Sequence, residues 1–153
     1  MRTVYKPSSR YDRFALILSL MIFLMLAYLS AARYSAYNAG MFDLGNMSQA
    51  IWSVTQGKAL LYSSPEGYPA SRLAGHMEGI YVLLALPYAL LPDPRTLVVI
   101  QVLLFVLGGI GAYRLALRRL GERFAARCAL LIYLLYPTAI SGMLFDIHGD
   151  TLA

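Results

Sequence analysis

An uncharged apolar run extends from position 14 to position 32, and two more, 96–116 and 128–145, are also long enough to cross a bilayer at about 20 residues per helical span. A fourth run, 79–91, contains Pro87 and is closed by Pro92-Asp93-Pro94-Arg95. At about 1.5 Å per residue it reaches roughly 20 Å, well short of a hydrocarbon core of about 30 Å. The pattern predicts an all-α membrane protein with three transmembrane helices, at 14–34, 96–116 and 128–145. A cleaved signal peptide competes for the first run, but its apolar region would be shorter. In the long loop 35–95, Leu44, Met47, Ile51 and Val54 recur at helical spacing while Asn46, Gln49, Ser53 and Gln56 face elsewhere. With Gly57 as a stop, this predicts an interfacial helix over 44–56 with Trp52 at the interface, and 79–91 supplies a second one. The stretch 62–71, punctuated by Pro65, Gly67 and Pro69, reads as an irregular connection.

Charge decides the sidedness. The tail 1–13 carries Arg2, Lys6, Arg10 and Arg13, and the segment between the last two spans carries Arg114, Arg118, Arg119, Arg123 and Arg127. If 79–91 does not cross, these basic residues share one side, which the positive-inside rule makes cytoplasmic. Asp43, Glu66, Glu78, Asp93, Asp146 and Asp150 then fall on the other side. The expected order is a cytoplasmic tail (1–13), span 1, an outer loop, span 2, a cytoplasmic basic loop (117–127), span 3, and the start of a second outer loop (146–153). Composition agrees: 59% hydrophobic and only 14% charged residues exclude a disordered tail and an ordinary soluble domain. The net charge of +5 sits at span ends, so it points to the lipid bilayer and not to nucleic acid. A lone cysteine, Cys128, excludes an intrachain disulfide.

The chemistry gathers on the outer side. Asp43 stands just before the first interfacial helix, where an Asp often serves as an N-cap. Asp146, His148 and Asp150 place two carboxylates and an imidazole within five residues, a donor set suited to Mn²⁺, Mg²⁺ or Zn²⁺, although the spacing matches no standard metal signature. His76 falls on the same side by topology. Lys58 and Arg72, also outside, oppose the charge trend and read either as solvated loop charges or as contacts for an anionic headgroup or phosphate. Within span 2, Gly108 and Ala112 offer a close-packing face, and Gln101 suits a bond to a neighbouring helix.

Phe42-Asp43-Leu44-Gly45, Gln49-Ala50-Ile51-Trp52-Ser53, His76, Leu86-Pro87-Tyr88 and Leu144-Phe145-Asp146-Ile147-His148 with Asp150 occur in an order that resembles a family of prokaryotic membrane proteins, domain of unknown function 2079. That family looks like a branch of the GT-C glycosyltransferases, which take sugars from polyprenyl phosphates at the outer membrane face. The resemblance implies a location in the prokaryotic cytoplasmic membrane and an outer-loop acid as catalytic base or metal contact, a position matched by Asp43. It implies a second acidic site, matched by Asp146 with Asp150 nearby and assisted by His148. The paired acids of the wider superfamily are absent, since Phe42 and Leu44 flank Asp43. The resemblance also implies an N-terminal part of a longer protein, inactive without its remaining spans. The expected roles are Asp43 as base, Arg72 and Lys58 as phosphate contacts, and His76, Asp146, His148 and Asp150 around a divalent cation, Mn²⁺ or Mg²⁺. The alternative class is a transporter or scaffold that binds an ion or partner through the same outer cluster.

Overall fold

In a computed structural model of the chain, the structure describes residues 12–39, 41–75 and 79–147. The first apolar run forms helix α1, Arg13–Ser35. Its buried positions Ala15, Ser19, Ile22, Leu26 and Ser30 recur every three or four residues and form one stripe against the other helices. The next long helix, α4, runs Pro94–Leu120. Asp93 caps its start by accepting from the Arg95 N–H at 2.8 Å, Pro94 takes the first helical position, and Gly121 ends it at φ 69°. α1 and α4 are each long and apolar enough to cross a membrane.

The basic loop expected over 117–127 shrinks to Gly121 and Glu122, because its arginines ride on helices. Arg114, Arg118 and Arg119 belong to α4, and Arg123 and Arg127 to α5, Arg123–Leu134. Glu122 caps α5 through bonds from the N–H groups of Phe124 and Ala125, at 2.8 and 2.6 Å. The expected single third span is instead a bent pair, α5 followed by α6, Pro137–Leu144, at 46° to each other. Pro137 explains the break: it disfavours a helical Tyr136, which stands at ψ 115°, and it starts the next helix well.

The order of helix ends fixes the topology. The Asp12 carboxylate at the start of α1 accepts from the Tyr113 hydroxyl near the end of α4 at 2.9 Å, and from Arg127 near the start of α5 at 2.9 and 3.0 Å. α4 is therefore antiparallel to α1 and α5 parallel to it. At the opposite end the Ser30 hydroxyl donates to the Met143 carbonyl at 3.3 Å, and the Arg95 guanidinium lies over the Tyr34 ring at 5.9 Å. Between these ends α4 and α5 approach closely. A Cβ on Gly109 would lie 2.8 Å from Leu134, one on Gly108 would overlap the Tyr133 hydroxyl, and Phe105 stacks on Tyr133 at 5.2 Å. The expected small-residue face thus has a defined partner in α5.

The segment between α1 and α4 starts and finishes at one end of this bundle. It contains a π-helical turn, Met41–Gly45; helix α2, Asn46–Thr55; strands β1, Leu61–Ser63, and β2, Pro69–Ser71; a 3-10 turn, Arg72–Ala74; and helix α3, Ile80–Leu90. At 11 residues α3 is too short to cross. The expected irregular stretch 62–71 is instead an antiparallel hairpin, with Leu61 opposite Ser71, Tyr62 opposite Ala70 and Ser63 opposite Pro69. Proline sits at the end of an edge strand here, where its missing N–H does no harm. The chain is an all-α membrane protein apart from this hairpin.

The Asp12 clamp yields a prediction. The Arg127 hydrogen bonds, opposed by burial and helped by Tyr113 and the Ala15 N–H, lower the Asp12 carboxyl from 3.8 to about 2. A depressed carboxylate contributes stability above its unfolded value, and that contribution disappears as pH falls through the folded one. Asp12→Asn keeps the helix cap but removes the charge. In micelles it should lower stability by about 1 kcal/mol at neutral pH and flatten the acid limb between about pH 4 and pH 2, followed by circular dichroism on heating.

Candidate functional site

α2 builds the floor of the loop region. The apolar stripe that runs from the π-helical turn into α2 is buried as its spacing implies, with Leu44, Met47 and Ile51 almost fully covered and Val54 partly so. Tyr81, Leu84, Ala85 and Tyr88 of α3, Leu97 and Val98 of α4, Leu60 before β1, and Ile147 beyond α6 complete one apolar cluster. Two of the expected outward polar positions hold the hairpin. Gln49 is exposed and grips β1, with Ser63 N–H donating to its carbonyl oxygen at 3.1 Å and its amide donating to the Ser63 hydroxyl at 3.0 Å. Ser53 is buried instead. Its hydroxyl donates to the Ala50 carbonyl at 2.8 Å and accepts from the Leu61 N–H at 2.7 Å, so it fastens the hairpin to α2. Trp52 is exposed on the outer side of α2.

Asp43 lies inside the π-helical turn and is not the cap of α2. The cap position belongs to Gly45, whose conformation is helical and which has no side chain to accept a bond. π-helical turns are rare and recur at functional sites. The Ser48 hydroxyl donates to the carbonyls of Leu44 and Gly45 and satisfies oxygens in this wider turn. Asp43 is half-buried, and its chain neighbour Leu44 belongs to the cluster.

Asp146 is 3% exposed, a depth at which an ionised carboxylate requires a partner or a cation. Its neighbour Ile147 is fully buried in the same cluster as Leu44. Arg72 opens the 3-10 turn and is half-buried; its N–H donates to the Leu60 carbonyl at 2.9 Å, while the Ser71 hydroxyl donates to the Ala59 carbonyl at 2.7 Å. Lys58 is exposed two residues before Leu60. Each of these four side chains therefore stands within two residues of, or bonded beside, a member of one cluster: Leu44, Leu60 or Ile147. His76, His148 and Asp150 lie outside the described residues, so one of the four expected metal ligands, Asp146, is described. Among the described residues no group of three His, Cys, Asp or Glu side chains is close enough to hold a metal ion.

Tyr88 lies in this region too, and burial, with Asp93 and Tyr34 nearby, pushes its hydroxyl above its usual value of 10. An open groove of about 400 Å³, lined by Leu91, Pro92, Asp93, Arg95, Thr96 and Val99, lies where α3 turns into α4 and contains none of the candidate residues. The Asp93 carboxyl is held below its usual value by the Arg95 side chain, 2.6 Å away. Sequence reasoning missed the Asp12–Tyr113–Arg127 clamp and the roles of Ser53 and Gln49. Asp12 before an apolar run is a readable capping signal, but its partners more than 100 residues away are not.

Residues 33–153 match the family described as Predicted membrane protein (DUF2079). No curated protein and no solved structure matches the chain.

The hairpin anchor is testable. Ser53→Ala leaves the Leu61 N–H without its acceptor and should reduce stability by about 1–2 kcal/mol. Amide exchange at Leu61 should accelerate, while exchange in the middle of α4 stays unchanged.

Proposed function

The chain belongs to the DUF2079 family of membrane proteins, and from that premise we propose that it is part of a GT-C-like glycosyltransferase taking a sugar from a polyprenyl-phosphate donor. The loop face is the outer face of a prokaryotic cytoplasmic membrane, and the N-terminus is cytoplasmic. One observation carries the reading: the half-buried Asp43 and the buried Asp146, a hundred residues apart in sequence, flank Leu44 and Ile147 of a single cluster. That shared cluster is what supports two acids serving one site.

In this reading Asp43 is the base. The acceptor oxygen forms the bond to the anomeric carbon and surrenders its proton to the Asp43 carboxylate. The bond from that carbon to the phosphate oxygen breaks, and the electron pair leaves with the polyprenyl phosphate. Arg72, whose backbone N–H bonds to the Leu60 carbonyl at the base of the hairpin, and Lys58, two residues before Leu60, contact the phosphate as charge develops on it. Asp146 would hold a divalent cation, Mn²⁺ or Mg²⁺, together with His76, His148 and Asp150, and that cation would neutralise the leaving phosphate. A transporter would place ionisable groups near mid-depth. Apart from Tyr113 at the Asp12 end of the bundle, the buried polar side chains of α1 and α4 are Ser19, Ser30 and Gln101, none of them ionisable, which favours the transferase.

Asp43→Asn in the full-length protein should abolish sugar transfer, by at least about a hundredfold as expected for loss of a general base, while expression and membrane insertion stay intact. Excess Mn²⁺ should not restore it. Transfer from a labelled polyprenyl-phosphate sugar at the wild-type rate would remove Asp43 from the mechanism.

A further inference from the structure

The face of α4 turned away from α1 and α5 changes character along its length. Leu104, Leu107, Gly111, Arg114, Leu115 and Arg118 follow one another at intervals of three, four or one residues and occupy about a third of the helix circumference. All six are exposed, Leu104 at 37%, Leu107 at 50% and Leu115 at 58%. Opposite them lie the buried Val102, Phe105, Val106, Gly109 and Tyr113. At Gly111 nothing lies within 4 Å of the place a Cβ would occupy, so the stripe has a notch between Leu107 and Arg114.

Depth matters here. Arg114 lies about 30 Å along α4 from Pro94, the thickness of a hydrocarbon core, and Arg118 is about 6 Å further on. The two guanidinium groups therefore stand one helical turn apart at the level where lipid phosphates begin. The acids described at this end are engaged elsewhere: Asp12 accepts from Tyr113 and Arg127, and Glu122 accepts from the N–H groups of Phe124 and Ala125. Positive charge at the foot of an apolar track is complementary to a molecule with hydrocarbon chains and an anionic head.

We infer that this stripe is a binding site for an anionic phospholipid, whose phosphate is shared by Arg114 and Arg118 and whose acyl chains lie along Gly111, Leu107 and Leu104. The site is independent of the sugar-transfer reading, since it uses the other end of the bundle and none of the loop residues. Arg119, exposed on the neighbouring side of α4, lies off the stripe and serves as a matched control.

The test is binding of a fluorescent phosphatidylglycerol to the protein in zwitterionic micelles, with phosphatidylcholine and inorganic phosphate as competitors. The wild-type chain and Arg119→Gln should bind phosphatidylglycerol equally. The double variant Arg114→Gln/Arg118→Gln should bind it about 30-fold more weakly, from loss of two favourable basic contacts. Arg114→Lys/Arg118→Lys, which keeps the charge, should retain most of the affinity and guards against misfolding as the cause. Phosphatidylcholine and inorganic phosphate should compete poorly. Undiminished binding by the double glutamine variant overturns the site, as do equal competition by phosphatidylcholine and displacement by millimolar inorganic phosphate.

Discussion

One carboxylate holds the helix ends in order. Asp12, its side chain 3% exposed, takes bonds from a phenol on α4 and a guanidinium on α5 while capping α1. A buried carboxylate is stable only when its oxygens are occupied, so the start of α1, the end of α4 and the start of α5 must meet. The cation half of the pair also lies over the Phe14 ring at 5.1 Å, which ties it to α1 a second time. Two antiparallel pairs, α1 with α4 and α4 with α5, and one parallel pair, α1 with α5, follow directly from this meeting.

The loop region inherits its place from that order. Because α1 and α4 run in opposite directions, everything between them must leave from and return to a single face, and a short α3 with one buried side satisfies this without crossing. The other side of α3 presents Val82, Leu83, Leu86 and Leu90, all well exposed, as an interfacial helix does when lipid covers it. The cluster beneath, built around Ile51, Tyr81, Leu97 and Ile147, then gathers segments far apart in sequence. Asp43, Asp146, Lys58 and Arg72 are carried to its border by backbone that the cluster fixes, so the placement of the candidate site follows from helix direction plus apolar burial.

Much of this was legible in the sequence, and for definite reasons. The apolar lengths gave the long helices, and the i, i+3, i+4 spacing of Leu44, Met47 and Ile51 gave the buried face of α2. The hairpin was not legible, because Pro65, Gly67 and Pro69 mark a turn equally well with or without pairing; the pairing depends on Ser53 and Gln49 of α2, which periodicity assigned to the outside. The bend between α5 and α6 was readable at Pro137, but the apolar count over 128–145 outweighed it. Asp43 looked like a cap because it precedes a helix, and only the π-helical turn shows the cap to be two residues later. Asp146 gave no sign of its burial, since its neighbour Ile147 is held in a cluster assembled from α2, α3 and α4.

The central claim is that the segment between α1 and α4 returns to the face it left, with the arginine-bearing turn on the opposite face. Impermeant maleimide labelling of intact cells tests it most directly. In a Cys128→Ser background, Glu66→Cys and Arg119→Cys are compared before and after permeabilisation. Position 66 should label in intact cells and position 119 only once the membrane is opened. Labelling of both positions from the same side would mean that α3 crosses, and would contradict the account.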